Sequence, residues 1–187
     1  MPNVPAIVII ALVVAMLIWL ISIFNSLVAL RVRVQNAWSD IDVQLKRRHD
    51  LIPSLISAVQ GYMAHERSIL ESVTQARADA LAAPRADIQQ RIAAETALTG
   101  ALGKLFAVAE SYPQLRAVES VQLLQEQLTS TENRIAYARQ FYNDEAMKFN
   151  TAQATFPRNL FAGMFGFLPA TMFAAQASER SNVSVSI

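Results

Sequence analysis

The chain opens with an apolar run that carries no charged side chain from Met1 to Leu30. About 20 apolar residues in a helix span the hydrocarbon core of a bilayer, so the stretch Val4–Leu30 is long enough to cross with some tilt. A cleaved signal peptide would have a basic start and a shorter apolar core, and neither is present. We therefore predict a transmembrane helix over residues 4–30, preceded by a short stub outside the cytoplasm at residues 1–3.

Basic side chains lie on only one flank of this predicted helix. Arg31 and Arg33 follow it directly, Lys46 and Arg47 lie a little further along, and the N-terminal stub has none. Basic flanks stay in the cytoplasm, which predicts a single-pass protein with its N-terminus outside and the bulk of the chain cytoplasmic. These four residues are expected to form a basic collar that attracts anionic lipid headgroups.

Beyond the anchor, apolar residues recur at alternating steps of three and four. One such seam runs from Val34 to Ala80, and twelve of its fourteen positions are apolar or aromatic. A second runs from Val121 to Phe156, with nine such residues among eleven positions. A repeat of about 3.5 residues predicts long helices wound left-handedly around partners, so the fold class is all-α with coiled-coil-like heptad seams.

Prolines set the predicted helix boundaries within the bundle of residues 31–156. Pro84 suits the start of a helix and Pro113 the end of one, which predicts helices at about 31–82, 85–110 and 118–154. Pro53 lies inside the first of these and either kinks it or begins a new helix; because the seam continues through it, a kink is favoured. Three glycines inside predicted helices are consistent with close helix packing: Gly61, Gly100 and Gly103.

Three charged residues occupy seam positions: Arg48, Glu66 and Glu145. A lone charge on a seam is costly unless it is paired, and paired polar residues there fix register and partner choice. We expect Arg48 and Glu145 to find opposite charges across helices, within one chain or between subunits. Glu66 is expected to pair with an arginine such as Arg134 or Arg139.

Charged residues are dense around Arg48, which raises the question of an active site. The group consists of Asp40, Asp42, Arg47, Arg48, His49 and Asp50. These residues fall on successive helical faces, so they cannot all converge on one site, and interhelical ion pairs are favoured over catalysis. His65-Glu66 lacks the second histidine of a zinc-protease motif. With no cysteine and a net charge of +1, the chain is expected to be no enzyme, to need no metal or cofactor and to bind no nucleic acid.

A second apolar stretch, residues 157–178, lies near the end of the chain and is rich in phenylalanine, methionine and glycine. It is too short and too interrupted for a comfortable second span, yet too apolar to stay exposed in a monomer. It packs on its own bundle, docks on a neighbouring subunit or inserts shallowly into the membrane. The side chains expected to make this assembly or membrane contact are Phe161, Met164, Phe165, Phe167, Met172 and Phe173. Residues 179–187 form a polar tail.

Two ordered blocks of residues resemble the signature of the LemA family. The first runs from Trp38 to Pro53 and is followed by Gly61-Tyr62 and His65-Glu66. The second comprises Glu110-Ser-Tyr-Pro113, Glu132-Asn-Arg134, Ala138 to Asn143, Asn150 and Phe156-Pro157. The resemblance extends from about Phe24 to Phe167. Ser54 stands where an asparagine is usual, and Val118 with Val121 replaces a more polar segment.

The resemblance implies a bacterial inner-membrane protein in which the anchor continues into an antiparallel bundle of long helices. It implies no established enzymatic activity. The expected function is a non-enzymatic, self-associating, membrane-anchored scaffold that organises or remodels the inner membrane or recruits partners. The alternative is a monomeric tethered adaptor that binds one client protein in a groove of the bundle. The expected partners are the lipid bilayer, further copies of the chain and, for the adaptor, a protein client.

Overall fold

A computed structural model describes residues 4–63, 65–83 and 87–173 of the chain. The helices within these ranges are α1 (Val4–Gln60), α2 (Arg67–Ala82), α3 (Ile88–Ala109), α4 (Pro113–Arg116), α5 (Glu119–Ala154) and α6 (Arg158–Ala162). No strand occurs in the described ranges, and the prediction of an all-α helical bundle is confirmed. The predicted stub, the helix start at Pro84, residues 174–178 and the polar tail lie outside the described residues.

The chain divides into two compact units. The terminal unit consists of Met1–Ser39 and Gln140–Ile187, and the central unit of Asp40–Arg139. Helices α1 and α5 each contribute to both units.

An aliphatic core holds the central unit together. The α1 seam residues Ile52, Leu55 and Val59 are fully buried in it, and α2 packs against α3. The core is completed by Met63, Leu70, Val73, Ala80, Leu98, Leu102, Leu105, Leu115, Val121 and Leu128. These seam residues are therefore covered by their own chain, and supercoiling of the helices stays a prediction.

The terminal unit contains the apolar start of α1. Between Val4 and Trp19 the large apolar side chains are 46% to 65% exposed, whereas Ile23 and Leu27 are buried. By length and composition, α1 and α3 are the two described helices able to cross a membrane. The stretch in α1 is the more apolar and almost unburied, which is the surface that a lipid environment requires.

The structure divides the predicted helix 31–82 in two. α1 passes through Pro53 without a break, in accordance with the uninterrupted seam, but it ends at Gln60, and α2 begins at Arg67. In the turn between them, the backbone N–H groups of Tyr62 and Met63 both donate to the carbonyl of Val59 at 3.0 Å. Gly61 disfavours a further helical turn, and Met63 is buried in the core. The repeat crosses this turn because both helices bury an apolar face in the same core.

Close packing does not explain the helical glycines. A Cβ built on Gly100 or Gly103 would meet no atom within 4 Å, and the same holds for Gly61, which lies in the turn after α1. The expectation of close helix approach at these positions is wrong within the described part of the chain.

Candidate functional site

A buried arginine joins three helices of the central unit. Arg48 of α1 is 1% exposed, and its guanidinium donates to the carboxylates of Glu95 on α3 and Glu132 on α5, the latter at 2.6 Å. It also donates to the hydroxyl of Thr99 at 2.9 Å. A cation is tolerated in a core when it is paired and hydrogen-bonded in this way. Both acidic partners that the seam position of Arg48 required thus come from its own chain.

Glu95 lies at the centre of these contacts and is 4% exposed. One carboxylate oxygen faces Arg48, and the other lies 3.0 Å from Nε2 of His49, which is also buried. Burial acts to raise the pKa of the Glu95 carboxyl, but the adjacent His49 imidazole and the charge of Arg48 outweigh it and hold the pKa below its usual value. Glu95 is therefore ionised at neutral pH.

Pro53 shapes the same site through a backbone atom. A proline has no backbone N–H, so it cannot bond the carbonyl four residues earlier in the helix, which here belongs to His49. Arg77 of α2 fills that vacancy, with its Nε–H donating to the His49 carbonyl at 2.8 Å. The proline thus turns a helix-internal acceptor into an attachment point for a second helix.

A further ion pair extends this site, which we call the ion cluster: Asp42, Arg48, His49, Arg77, Arg91, Glu95 and Glu132. Arg91 of α3 donates to Asp42 of α1 at 2.5 Å. Arg139 of α5 lies beside this cluster. Burial lowers the pKa of its guanidinium, and the negative charge of Glu132 opposes that effect. General-base catalysis needs a base that faces a nucleophile or a water, whereas each carboxylate here faces a cation. The cluster is built to hold helices together.

Part of the C-terminal apolar segment packs onto helices of its own unit. Phe167 is buried, with its ring centroid 5.8 Å from that of Phe24 and 6.3 Å from that of Phe149. Phe173 stacks on the ring of Trp38 at a centroid distance of 5.7 Å and packs edge-on against the ring of Tyr142 at 5.4 Å. Of the three arrangements that the sequence left open, Phe167 and Phe173 adopt packing on their own bundle.

Two asparagines of α5 hold the extended end of this segment. The Asn150 side chain accepts from the backbone N–H of Ala170 at 2.8 Å and donates to its carbonyl at 2.9 Å. Asn143 makes the same pair of bonds to the backbone of Phe173, at 2.8 Å and 3.1 Å. Each amide thus replaces the hydrogen bonds that a neighbouring strand would supply, and the segment keeps its backbone paired outside a helix.

The other predicted site residues fall into two groups. The four side chains of the basic collar are exposed: Arg31, Arg33, Lys46 and Arg47. Met164 and Met172 are exposed as well. Within the chain, Glu145 pairs with Lys148 at 2.6 Å on its own helix, and its pairing between subunits stays a prediction. Glu66 accepts from the hydroxyl of Tyr112 at 3.1 Å and not from the expected arginine. The register role proposed for these seam residues stays a prediction.

Among the residues of these sites that were missed from the sequence, three left a signal. Glu95 lies on the apolar face of α3, three residues before Leu98, a position where an acid has to be paired. Asn143 and Asn150 are one heptad apart and directly follow seam residues, so they share one side of α5. Within the described residues, no group of three or more histidine, aspartate and glutamate side chains is placed to hold a metal ion.

Comparisons with known proteins agree with the resemblance. The model of the LemA family matches residues 37–187. Magnetosome protein MamQ 2 of Paramagnetospirillum magneticum is 26% identical over 185 residues, which cover 86% of this chain and 68% of that protein. Magnetosome protein MamQ of Magnetospirillum gryphiswaldense is 26% identical over 178 residues, covering 82% and 65%. Protein LemA of Metamycoplasma hominis is 26% identical over 162 residues, covering 87% and 74%.

Proposed function

The chain belongs to the LemA family, and we propose that it is a non-enzymatic, self-associating scaffold anchored in the bacterial inner membrane, where it organises or remodels the bilayer or recruits partners. In this proposal α1 crosses the membrane once, with its N-terminus outside and the central unit in the cytoplasm. Three relatives are named as magnetosome proteins, and neither their names nor the family description specifies a reaction.

The observation that carries the proposal is where the charged and the apolar side chains lie. The buried charges of the central unit neutralise one another in the ion cluster, which supports a structural role. Large apolar side chains, in contrast, remain on the surface, and each is more than half exposed: Val43, Leu81, Leu123 and Tyr137. Scattered apolar side chains are normal on a protein surface, so the proposal rests on the two of them that share a face of α5.

We expect self-association to use these outer side chains. The sequence pointed to the heptad seams and the apolar C-terminal segment as the contact between copies, but most apolar seam residues of the central unit are buried within the chain. Leu123 and Tyr137 lie on the outer surface of α5, fourteen residues apart, and therefore on nearly the same face of that helix. That face is the place where we expect a second copy to pack.

Light scattering coupled to size exclusion of the detergent-extracted protein tests the proposal. We expect a discrete particle of several copies, and the double variant Leu123→Glu with Tyr137→Glu should reduce it to single chains. The matched control, Gln125→Glu with Ala136→Glu, adds the same charge at exposed positions on another face of α5 and should keep the particle. A wild-type protein that is monomeric at every concentration would contradict the scaffold.

A monomer would leave the adaptor as the function, and one observation favours that alternative. An open groove of about 530 Å³ runs between the end of α1 and α2, with Ile56, Met63 and Leu70 along its walls and Arg67 and Glu71 at its edge. Apolar walls with a few charged groups suit a helix of a client protein.

A further inference from the structure

The outer face of the C-terminal segment stays uncovered, although its inner face is packed. Leu160, Met164 and Leu168 are 62%, 74% and 80% exposed. No charged residue occurs between Asn159 and Phe173. Exposed apolar side chains of this size on a turn need a partner, and the segment's own unit supplies none for them.

Ring contacts fix the level of this segment along α1. Phe161 packs edge-on against Trp19 at 6.1 Å, and Phe165 against Phe24 at 5.2 Å. Trp19 and Phe24 follow Val4 by 15 and 20 residues, which is about 22 Å and 30 Å along a helix that rises about 1.5 Å per residue. The hydrocarbon core is about 30 Å thick, so a span that begins at Val4 places the contact of Phe24 at its inner boundary and that of Trp19 about 8 Å inside it.

The backbone of the segment is prepared for a site with little water. Unpaired backbone groups are costly near hydrocarbon, and irregular segments are tolerated there when protein groups satisfy them. The backbone N–H of Phe165 donates to the carbonyl of Phe161 at 2.9 Å, and that of Phe167 donates to the carbonyl of Ala162 at 3.0 Å. Further along, the side chains of Asn150 and Asn143 pair both backbone groups of Ala170 and Phe173.

We propose that the turn Leu160–Leu168 is a second membrane contact, which inserts Leu160, Met164 and Leu168 at the boundary between acyl chains and headgroups of the bilayer that α1 spans. Its outer face continues the exposed apolar surface of α1, to which the segment is directly packed, and this continuity identifies lipid as the occupant. The inference rests on the anchor of the proposed function and is independent of self-association.

Site-directed nitroxide labelling tests this contact, because the chain has no cysteine of its own. Single cysteines replace Met164 or Leu168 in the full-length protein, in vesicles of phosphatidylethanolamine and phosphatidylglycerol. Val13→Cys serves as the reference for the span. Gln125→Cys, on a face of α5 away from Leu123 and Tyr137, is the reference for an exposed residue of the central unit. Collision with oxygen reports lipid, and collision with a water-soluble nickel chelate reports water.

We expect the oxygen-to-nickel ratio at positions 164 and 168 to be severalfold above that at 125 and somewhat below that at 13. A ratio equal to that at 125 would overturn the second membrane contact. Low collision with both reagents, together with spin–spin broadening between labels, would also overturn it and would assign the surface to a second copy. A water-like ratio at 13 would instead show that the anchor itself, and with it the proposed function, is wrong.

Discussion

Each of the two units of the chain is stabilised internally by a different kind of contact. In the central unit a buried ion cluster joins helices within an aliphatic core, whereas in the terminal unit aromatic rings and two asparagines hold an extended segment. A buried charge that loses its partner costs several kcal/mol, so the ion cluster depends on all its members. Ring contacts and amide hydrogen bonds contribute about 1 kcal/mol each and can be lost one at a time. The central unit should therefore fail as a whole, and the terminal unit locally.

Replacing Arg48 is expected to have the largest effect. Arg48→Met leaves Glu95 buried beside His49 without its main counter-charge, and the free energy of unfolding should fall by about 3 to 5 kcal/mol. Denaturant unfolding of the full-length protein in detergent measures this loss. Lys46→Met is the matched control, since it breaks an exposed pair with Asp50, and it should leave the unfolding midpoint almost unchanged. Equal effects of the two variants would show that the ion cluster does not hold the central unit.

Removing both asparagine amides should release the segment and leave the bundle folded. The double variant Asn143→Ala with Asn150→Ala removes four hydrogen bonds to the backbone of Ala170 and Phe173. At roughly 1 kcal/mol for each pair, hydrogen exchange at residues 168–173 should accelerate about tenfold or more. Asn133→Ala, at an exposed position of α5, is the control. A global loss of protection throughout α5 would contradict the local nature of this contact.

Acid should weaken the central unit through Glu95. Because its pKa is lower in the folded chain than in the unfolded one, its stabilising contribution is complete above the unfolded value of about 4.5 and disappears as the pH falls toward the folded pKa. The free energy of unfolding should therefore decrease below about pH 4.5, by roughly 1.4 kcal/mol for each unit by which the two pKa values differ. Glu95→Gln should make this decrease shallower, whereas Glu126→Gln, on the exposed side of α5, should not. Identical slopes in both variants would assign the acid sensitivity to other groups.

A double-mutant cycle sharpens the account of Pro53. In the wild type, Arg77→Met leaves the His49 carbonyl without its donor and should cost about 1 kcal/mol. In the Pro53→Ala background, position 53 supplies its own N–H to that carbonyl, so the same change should cost clearly less. Unfolding free energies of the four proteins give the coupling. The same cost in both backgrounds would mean that the proline does not create the attachment point.

Much of the helical framework was predictable because apolar periodicity is a local property. The seam from Val34 placed the buried side of α1, and its continuation through Pro53 favoured one helix over a new start there, as α1 shows. The break after Gln60 was missed for the same reason: the repeat records which face is buried and cannot show that the chain turns between two helices sharing a core.

The sites were less predictable because their partners are distant in sequence. That Arg48 needed a buried acid followed from its seam position, but the choice of Glu95 and Glu132 depends on how the helices are arranged. The bond between Arg77 and the His49 carbonyl involves a backbone atom, and no side-chain pattern reveals it. The apolar character of the C-terminal segment was evident. The spacing of Asn143 and Asn150 shows only that they share one side of α5, and their bonds to this segment are visible only in three dimensions.

Images of the full-length protein in proteoliposomes, obtained by electron cryomicroscopy, test the central claim most directly. A self-associating membrane scaffold predicts assemblies of several copies with a recurring size and spacing on the bilayer, at protein-to-lipid ratios where unrelated single-span proteins stay dispersed. Single, evenly scattered copies at every ratio would contradict the scaffold and leave a tethered adaptor in its place.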